Sequence, residues 1–104
     1  MIEPYSKSVI EVSQDEWHAH LPGNFNFQAA HNLIKDLRQL GETPPRLRLN
    51  FARTEQIDRS GLGGLLCLAD IYGEQDPVIV EKANLEIRKM LNMVTIGARL
   101  SIVS

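Results

Sequence analysis

The 104-residue chain has a single cysteine, Cys67, which excludes an internal disulfide. That thiol sits in the apolar run Leu65-Leu66-Cys67-Leu68-Ala69. A nucleophilic thiolate needs an electropositive, partly open setting, so the run predicts a buried helical thiol in a reducing compartment. Long apolar stretches are also missing, and none approaches the ~20 residues that span a bilayer as a helix. The first residues, Met1-Ile2-Glu3-Pro4-Tyr5, lack the basic-then-apolar order of a signal peptide. The expected location is the cytoplasm. An excess of one charge is absent too: 11 basic side chains face 13 acidic ones, a formal net charge of -2. Such a balance sets no strong field and argues against nucleic acid or an anionic membrane as partner.

What is present suits a soluble globular chain, with 43% hydrophobic and 23% charged residues. A chain of this length buries roughly 65% of the surface its unfolded form exposes, enough for one core without staples. One domain over residues 1–104 is expected. No internal repeat or low-complexity tract divides it.

Residues 8–13 form a first expected strand, with Gln14-Asp15 as the turn. Residues 16–21 then alternate, with Trp17, Ala19 and Leu21 on one face and Glu16, His18 and His20 on the other. Period-two alternation marks a half-buried strand, and the short connection predicts an antiparallel hairpin. Pro22-Gly23-Asn24 ends it. Phe27, Ala30, Ile34 and Leu37 recur at helical spacing, with Leu33 and Leu40 widening the stripe and Gly41 and Pro44-Pro45 as stops. A third strand covers 46–51, with Leu47, Leu49 and Phe51 inward and Arg46, Arg48 and Asn50 outward. A second helix begins near Ser60, carrying Leu62, Leu65, Leu66, Ala69 and Tyr72, and closes at Gly73 and Pro77. Val78-Ile79-Val80 is a buried strand, and Asn84 caps a third helix with Ile87, Leu91 and Val94 inward. Leu100-Ser101-Ile102-Val103 completes the order β-β-α-β-α-β-α-β. An opening hairpin followed by alternating strands and helices calls for an α/β fold with a mixed sheet and helical crossovers.

The stretch with most chemical content is Asp58-Arg59-Ser60-Gly61-Leu62-Gly63, where a strand hands over to a helix. Small residues there leave the hydroxyl accessible, and the N–H groups at a helix start favour an anion. A phosphate on Ser60 is compatible with that end of a helix. Taken alone, Ser60 reads first as a plain helix N-cap, and Asp58 fits a structural cap as well as a role in phosphorylation. Arg59 is most simply a solvated cation, with pairing to a phosphoserine as the sharper alternative.

This segment resembles the signature of the STAS family, a strand followed by Asp-x-Ser-Gly-Leu-Gly opening a helix. Gly23-Asn24-Phe25-Asn26-Phe27 is similar to the family's loop between second strand and first helix. Val78-Ile79-Val80 with Asn84 to Leu91 is similar to a later strand and helix of stand-alone members. The resemblance runs from about Val9 to Ile102 and implies a sheet of four to five strands with helices mainly on one face. It also implies an anti-sigma-factor antagonist. The serine at the position of Ser60 is phosphorylated by a partner kinase that is usually also the anti-sigma factor. The unmodified form binds that partner, and a metal-dependent serine phosphatase restores binding. By this resemblance Ser60 is the switch, Asp58, Arg59 and Gly61 surround it, and Phe25, Asn26, Leu62 and Gly63 meet the partner. Arg59 stands where Ser or Thr is common, and Asn26 and Asn50 stand where many relatives carry Asp.

Phe27 is expected in the core and Phe25 as the exposed apolar contact. His18 and His20 share a strand face, and His31 lies on the first helix, but no acidic or thiol ligand stands at a diagnostic spacing, so no metal is expected. Gly61-x-Gly63 lacks the lysine of a phosphate loop and the rest of a dinucleotide fingerprint. No catalytic constellation emerges, so a binding module without cofactor is expected rather than an enzyme. Two other readings stay open: an accessory subunit of a transporter, since STAS domains also accompany transporters, and a scaffold in which Ser60 is never modified.

Overall fold

Alternation along the strands sets the architecture seen in a computed structural model, which describes residues 7–94 and 99–103. The N-terminal pentapeptide and the side chain of Val94, expected to face inward, lie outside this description. The elements are β1 (Val9–Val12), β2 (Trp17–His20), β3 (Asn24–Phe25), α1 (Phe27–Gln39), β4 (Leu47–Asn50), β5 (Gln56–Ile57), α2 (Arg59–Tyr72), β6 (Val78–Glu81), α3 (Leu85–Val94) and β7 (Leu100–Ile102). Five strands form a mixed sheet in the order β1-β2-β4-β6-β7. The opening hairpin pairs β1 with β2 antiparallel, and the remaining pairs are parallel. The expected α/β order is therefore met, with β3 and β5 as an added parallel pair of their own.

Each crossover from β2 onward steps the same way across the sheet. Because such crossovers are right-handed, α1, α2 and α3 fall on one face. The register confirms it: Trp17 pairs with Leu47, and Ala19 with Leu49, which pairs in turn with Val80. All five are buried, in one core with Ala30, Leu33 and Leu37 of α1, Leu65, Leu68 and Ala69 of α2, and Ile87 and Leu91 of α3. Burying each Leu contributes about 1.5–3 kcal/mol, so this layer dominates stability. The other sheet face carries Glu11, His18, His20, Arg48, Ile79 and Glu81, none of them buried in that core.

Helix ends follow the residues that permit them. Gly41, at φ 73°, follows the last turn of α1 in the left-handed region that glycine adopts at least cost. Asn84 caps α3 as expected, its Oδ1 accepting the Ile87 N–H at 2.9 Å.

Four expectations about exposure are corrected. Cys67 is exposed, because the inward stripe of α2 runs through Leu65, Leu68 and Ala69 and leaves it on the far side. Asn50 is buried, its Oδ1 taking the Ala52 N–H at 2.7 Å in the turn that ends β4. Leu40 is the C-cap of α1 and largely exposed. The fourth exchanges two aromatics. Phe25 is fully buried in β3, its ring against Phe51 at 6.1 Å. Phe27 is 61% exposed, because the buried stripe of α1 starts at Ala30 and the Phe27 ring stacks outward on His31.

Candidate functional site

Two strand-to-helix junctions lie side by side. Asn24 pairs with Gln56 and Phe25 with Ile57, so the chains enter α1 and α2 in parallel and in register. The residue after each two-residue strand caps the helix that follows. Asn26 Oδ1 accepts the Ala29 N–H at 2.9 Å, and Asp58 Oδ1 accepts the Gly61 N–H at 2.7 Å. Both caps have extended backbone and a short side chain with an acceptor oxygen, as an N-cap requires.

Gly61 makes the close approach possible. A Cβ built there would lie 1.9 Å from the Phe25 carbonyl oxygen, a separation no side chain survives. Gly64, one turn on, faces Ala30 closely enough that a Cβ would come within 2.3 Å of that side chain. The two helices are thus held by small residues on α2 where α1 crosses near. Gly63 is different: nothing lies within 4 Å of its missing Cβ, and it is exposed.

Ser60 joins the two junctions. Its Oγ accepts the Phe27 N–H, the first of α1, at 3.0 Å. The same hydroxyl donates to Asp58 Oδ1 at 2.7 Å. Ser60 is therefore not the cap of α2; that role belongs to Asp58, and Ser60 satisfies an orphan donor of the neighbouring helix instead. The Asp58 carboxyl is held below the usual aspartate range, first by the Gly61 N–H and next by the Ser60 hydroxyl, both of which favour the charged form. Asp58, Arg59 and Ser60 are all exposed.

Of the residues picked from the sequence, Ser60, Asp58, Gly61 and Asn26 meet at this junction. Leu62 is half-buried against the core, and Arg59 opens α2 in solvent. Phe25 contributes its backbone oxygen under Gly61 rather than a ring at the surface. Sequence reading missed the exposed Phe27 ring and a brace behind the site. Buried Thr54 donates its hydroxyl to the Pro22 carbonyl at 2.8 Å, and the Glu55 N–H bonds Gly23 O at 2.7 Å. Asn84, besides capping α3, reaches the Glu55 carbonyl at 3.4 Å. A threonine in a polar turn was the only available signal for this brace, and many such threonines are merely solvated.

Chemically, the site offers an exposed hydroxyl beside the starts of two helices, hydrogen-bonded to a carboxylate that is held toward its charged form. Asp58 and Ser60 are bonded as acceptor and donor, but no imidazole or lysine bonds that hydroxyl among the described residues. Among the same residues no helix is long and apolar enough to cross a membrane. The sequence matches no family model, and no curated protein matches it.

Proposed function

We infer that the chain is a phosphorylation-controlled binding module of the anti-sigma-factor-antagonist kind, with Ser60 as its switch. One observation carries the reading: a single exposed hydroxyl, Ser60 Oγ, bridges the starts of α1 and α2. Its resemblance to the Asp-x-Ser-Gly-Leu-Gly signature supplies the kind of partner, a serine kinase that also restrains a sigma factor. A serine phosphatase would reverse the modification.

The switch works through the hydroxyl's two bonds. Phosphate replaces the proton that Ser60 gives Asp58 and brings about -1.5 to -2 charges against that carboxylate. Two helix starts favour the new anion, while Asp58 repels it. The outcome is a rearranged, strongly negative tip where the unmodified module presents a neutral hydroxyl and the exposed Phe27 ring. A partner shaped for the neutral form would have to bury an uncompensated charge, which is costly.

The test starts with a pull-down from native lysate, followed by phosphopeptide mapping after reaction with the recovered kinase. Ser60 should be the dominant modified residue, and Ser60→Ala should bind the partner nearly as well as wild type. Ser60→Glu should bind at least about tenfold more weakly, equivalent to ~1.4 kcal/mol. Modification elsewhere with Ser60 untouched, or undiminished binding of both phosphorylated protein and Ser60→Glu, overturns the reading. Recovery of a transport ATPase in place of a kinase would favour the accessory-subunit alternative.

A further inference from the structure

On the sheet face away from the helices, β1 and β2 bring three side chains together that the sequence separates. Glu11 pairs directly with His18 across the hairpin, and His20 lies two residues further along the same strand face. The donor atoms of Glu11, His18 and His20 all lie within 4.8 Å of one another. The two imidazoles stack with centroids 4.5 Å apart, and Glu11 Oε1 already touches His20 Nε2 at 2.5 Å. The geometry points to a site for a divalent transition ion, held by His18, His20 and Glu11, with Zn²⁺ as the best match.

The donor set selects the metal. Two imidazole nitrogens and one carboxylate oxygen suit Zn²⁺ and its neighbours, whereas Ca²⁺ and Mg²⁺ take all-oxygen shells. Tetrahedral bonds of about 2.0–2.2 Å put neighbouring donors roughly 3.4 Å apart, so the Glu11–His20 contact must open from 2.5 Å while donors up to 4.8 Å apart close in. Glu11, whose side chain is 67% exposed, can swing to open that contact, and the two half-buried rings must turn out of their stack so that a nitrogen of each faces the ion. Three protein ligands leave one coordination position to water.

Around the three ligands the charges balance, Glu16 and Glu81 against Arg48 and Arg53, so the negative charge offered to the ion is that of Glu11 itself. Arg48 is held by Glu16 at 2.9 Å and by Glu81 at 3.1 Å, and Arg53 bonds the His20 carbonyl at 3.2 Å. His18 Nε2 is buried and has no aligned hydrogen bond, although Glu81 Oε1 lies 3.0 Å away. The site also gives the edge strand a fastening. The side chains of Val9, Glu11 and Val12 are exposed, and within β1 only Ile10 packs against the core. A metal shared between Glu11 and the β2 histidines would pin this strand.

Equilibrium dialysis of the untagged full chain against Zn²⁺, with Cys67→Ser as background to remove the exposed thiol, tests the site. About one ion should be retained per chain, as one three-ligand site requires. Retention should vanish in His18→Ala/His20→Ala. Glu11→Gln, a conservative exposed change, should weaken binding by at least about tenfold. Amide exchange in β1 should slow on adding Zn²⁺ in the parent and not in Glu11→Gln. No retained ion in the parent, or retention that survives both the histidine and the Glu11 replacements, overturns the site. These readouts do not depend on Ser60, so the switch and the metal site fail separately.

Discussion

The starts of α1 and α2 are built to one plan and differ in two residues that decide their chemistry. Both follow a two-residue strand, both are capped by a short acceptor side chain, and the strands pair in register. The cap of α1 is the neutral Asn26; that of α2 is Asp58, whose carboxyl is kept ionised by the Gly61 N–H and the Ser60 hydroxyl. Where α2 has Ser60, the matching place two residues after the cap of α1 holds Gln28, whose side chain bonds Asn32 further along its own helix. Equivalent folding geometry therefore yields one plain helix start and one that carries an exposed hydroxyl bonded to both helices, the proposed switch.

The comparison breaks first at Gly61. Placing a methyl there drives Cβ into the Phe25 carbonyl, a backbone atom that cannot turn aside. Gly61→Ala should destabilise by about 3 kcal/mol or more, because only a backbone shift relieves the overlap. Denaturant unfolding measures it, and a loss below ~1 kcal/mol would show that the junctions part easily. Gly63 is the internal control. Gly63→Ala adds a methyl into open space on a helix, and should stabilise by about 0.5–1 kcal/mol.

Phe27 tests whether the α1 side of the pair belongs to the binding surface. Its ring is exposed and stacked on His31, so Phe27→Ala should leave thermal stability nearly unchanged while weakening the partner by about 1–2 kcal/mol. Titration calorimetry reads the affinity. Unchanged binding would confine the surface to the α2 side. Asn26→Ala removes the neutral cap and should cost about 1 kcal/mol of stability.

How much of this was legible beforehand depends on the physical scale of each feature. The strands and helices were, because alternation at 16–21 and the stripe through Ala30, Leu33 and Leu37 report a buried face directly. The strands β3 and β5 were not, since two residues are too few to alternate. Their omission caused the exchange of Phe25 and Phe27: once Phe25 is a strand residue paired beside Ile57, its ring points into the core, while Phe27 opens α1 off the buried stripe that starts at Ala30. The position of Ser60 was readable from its motif, but its bond to Phe27 spans 33 residues and no local pattern encodes it. Glu11 beside His18 and His20 was hidden for a similar reason: it comes from pairing across the hairpin, not from spacing along one strand.

The finest test of the difference between the caps is acid. Asp58 binds its proton less readily in the folded chain than at the ordinary aspartate value of 3.8, so the unfolded chain takes up protons first as pH falls. Its contribution to stability is complete above that value and declines as pH drops toward the lower, folded one. Asp58→Asn keeps an acceptor oxygen for the Gly61 N–H and converts the α2 cap to the type that α1 already has, but it does not titrate. Subtracting the two stability profiles removes the other carboxylates, which both proteins share. The wild-type advantage should be level from about pH 7 to 5 and should shrink from about pH 4.5 downward. Since Asp58 is fully exposed, the effect should be small and should weaken further in salt. Parallel profiles down to the acid limit would mean that the carboxylate gains nothing over an amide as the cap of α2. The distinction between the two junctions would then rest on the Ser60 hydroxyl alone.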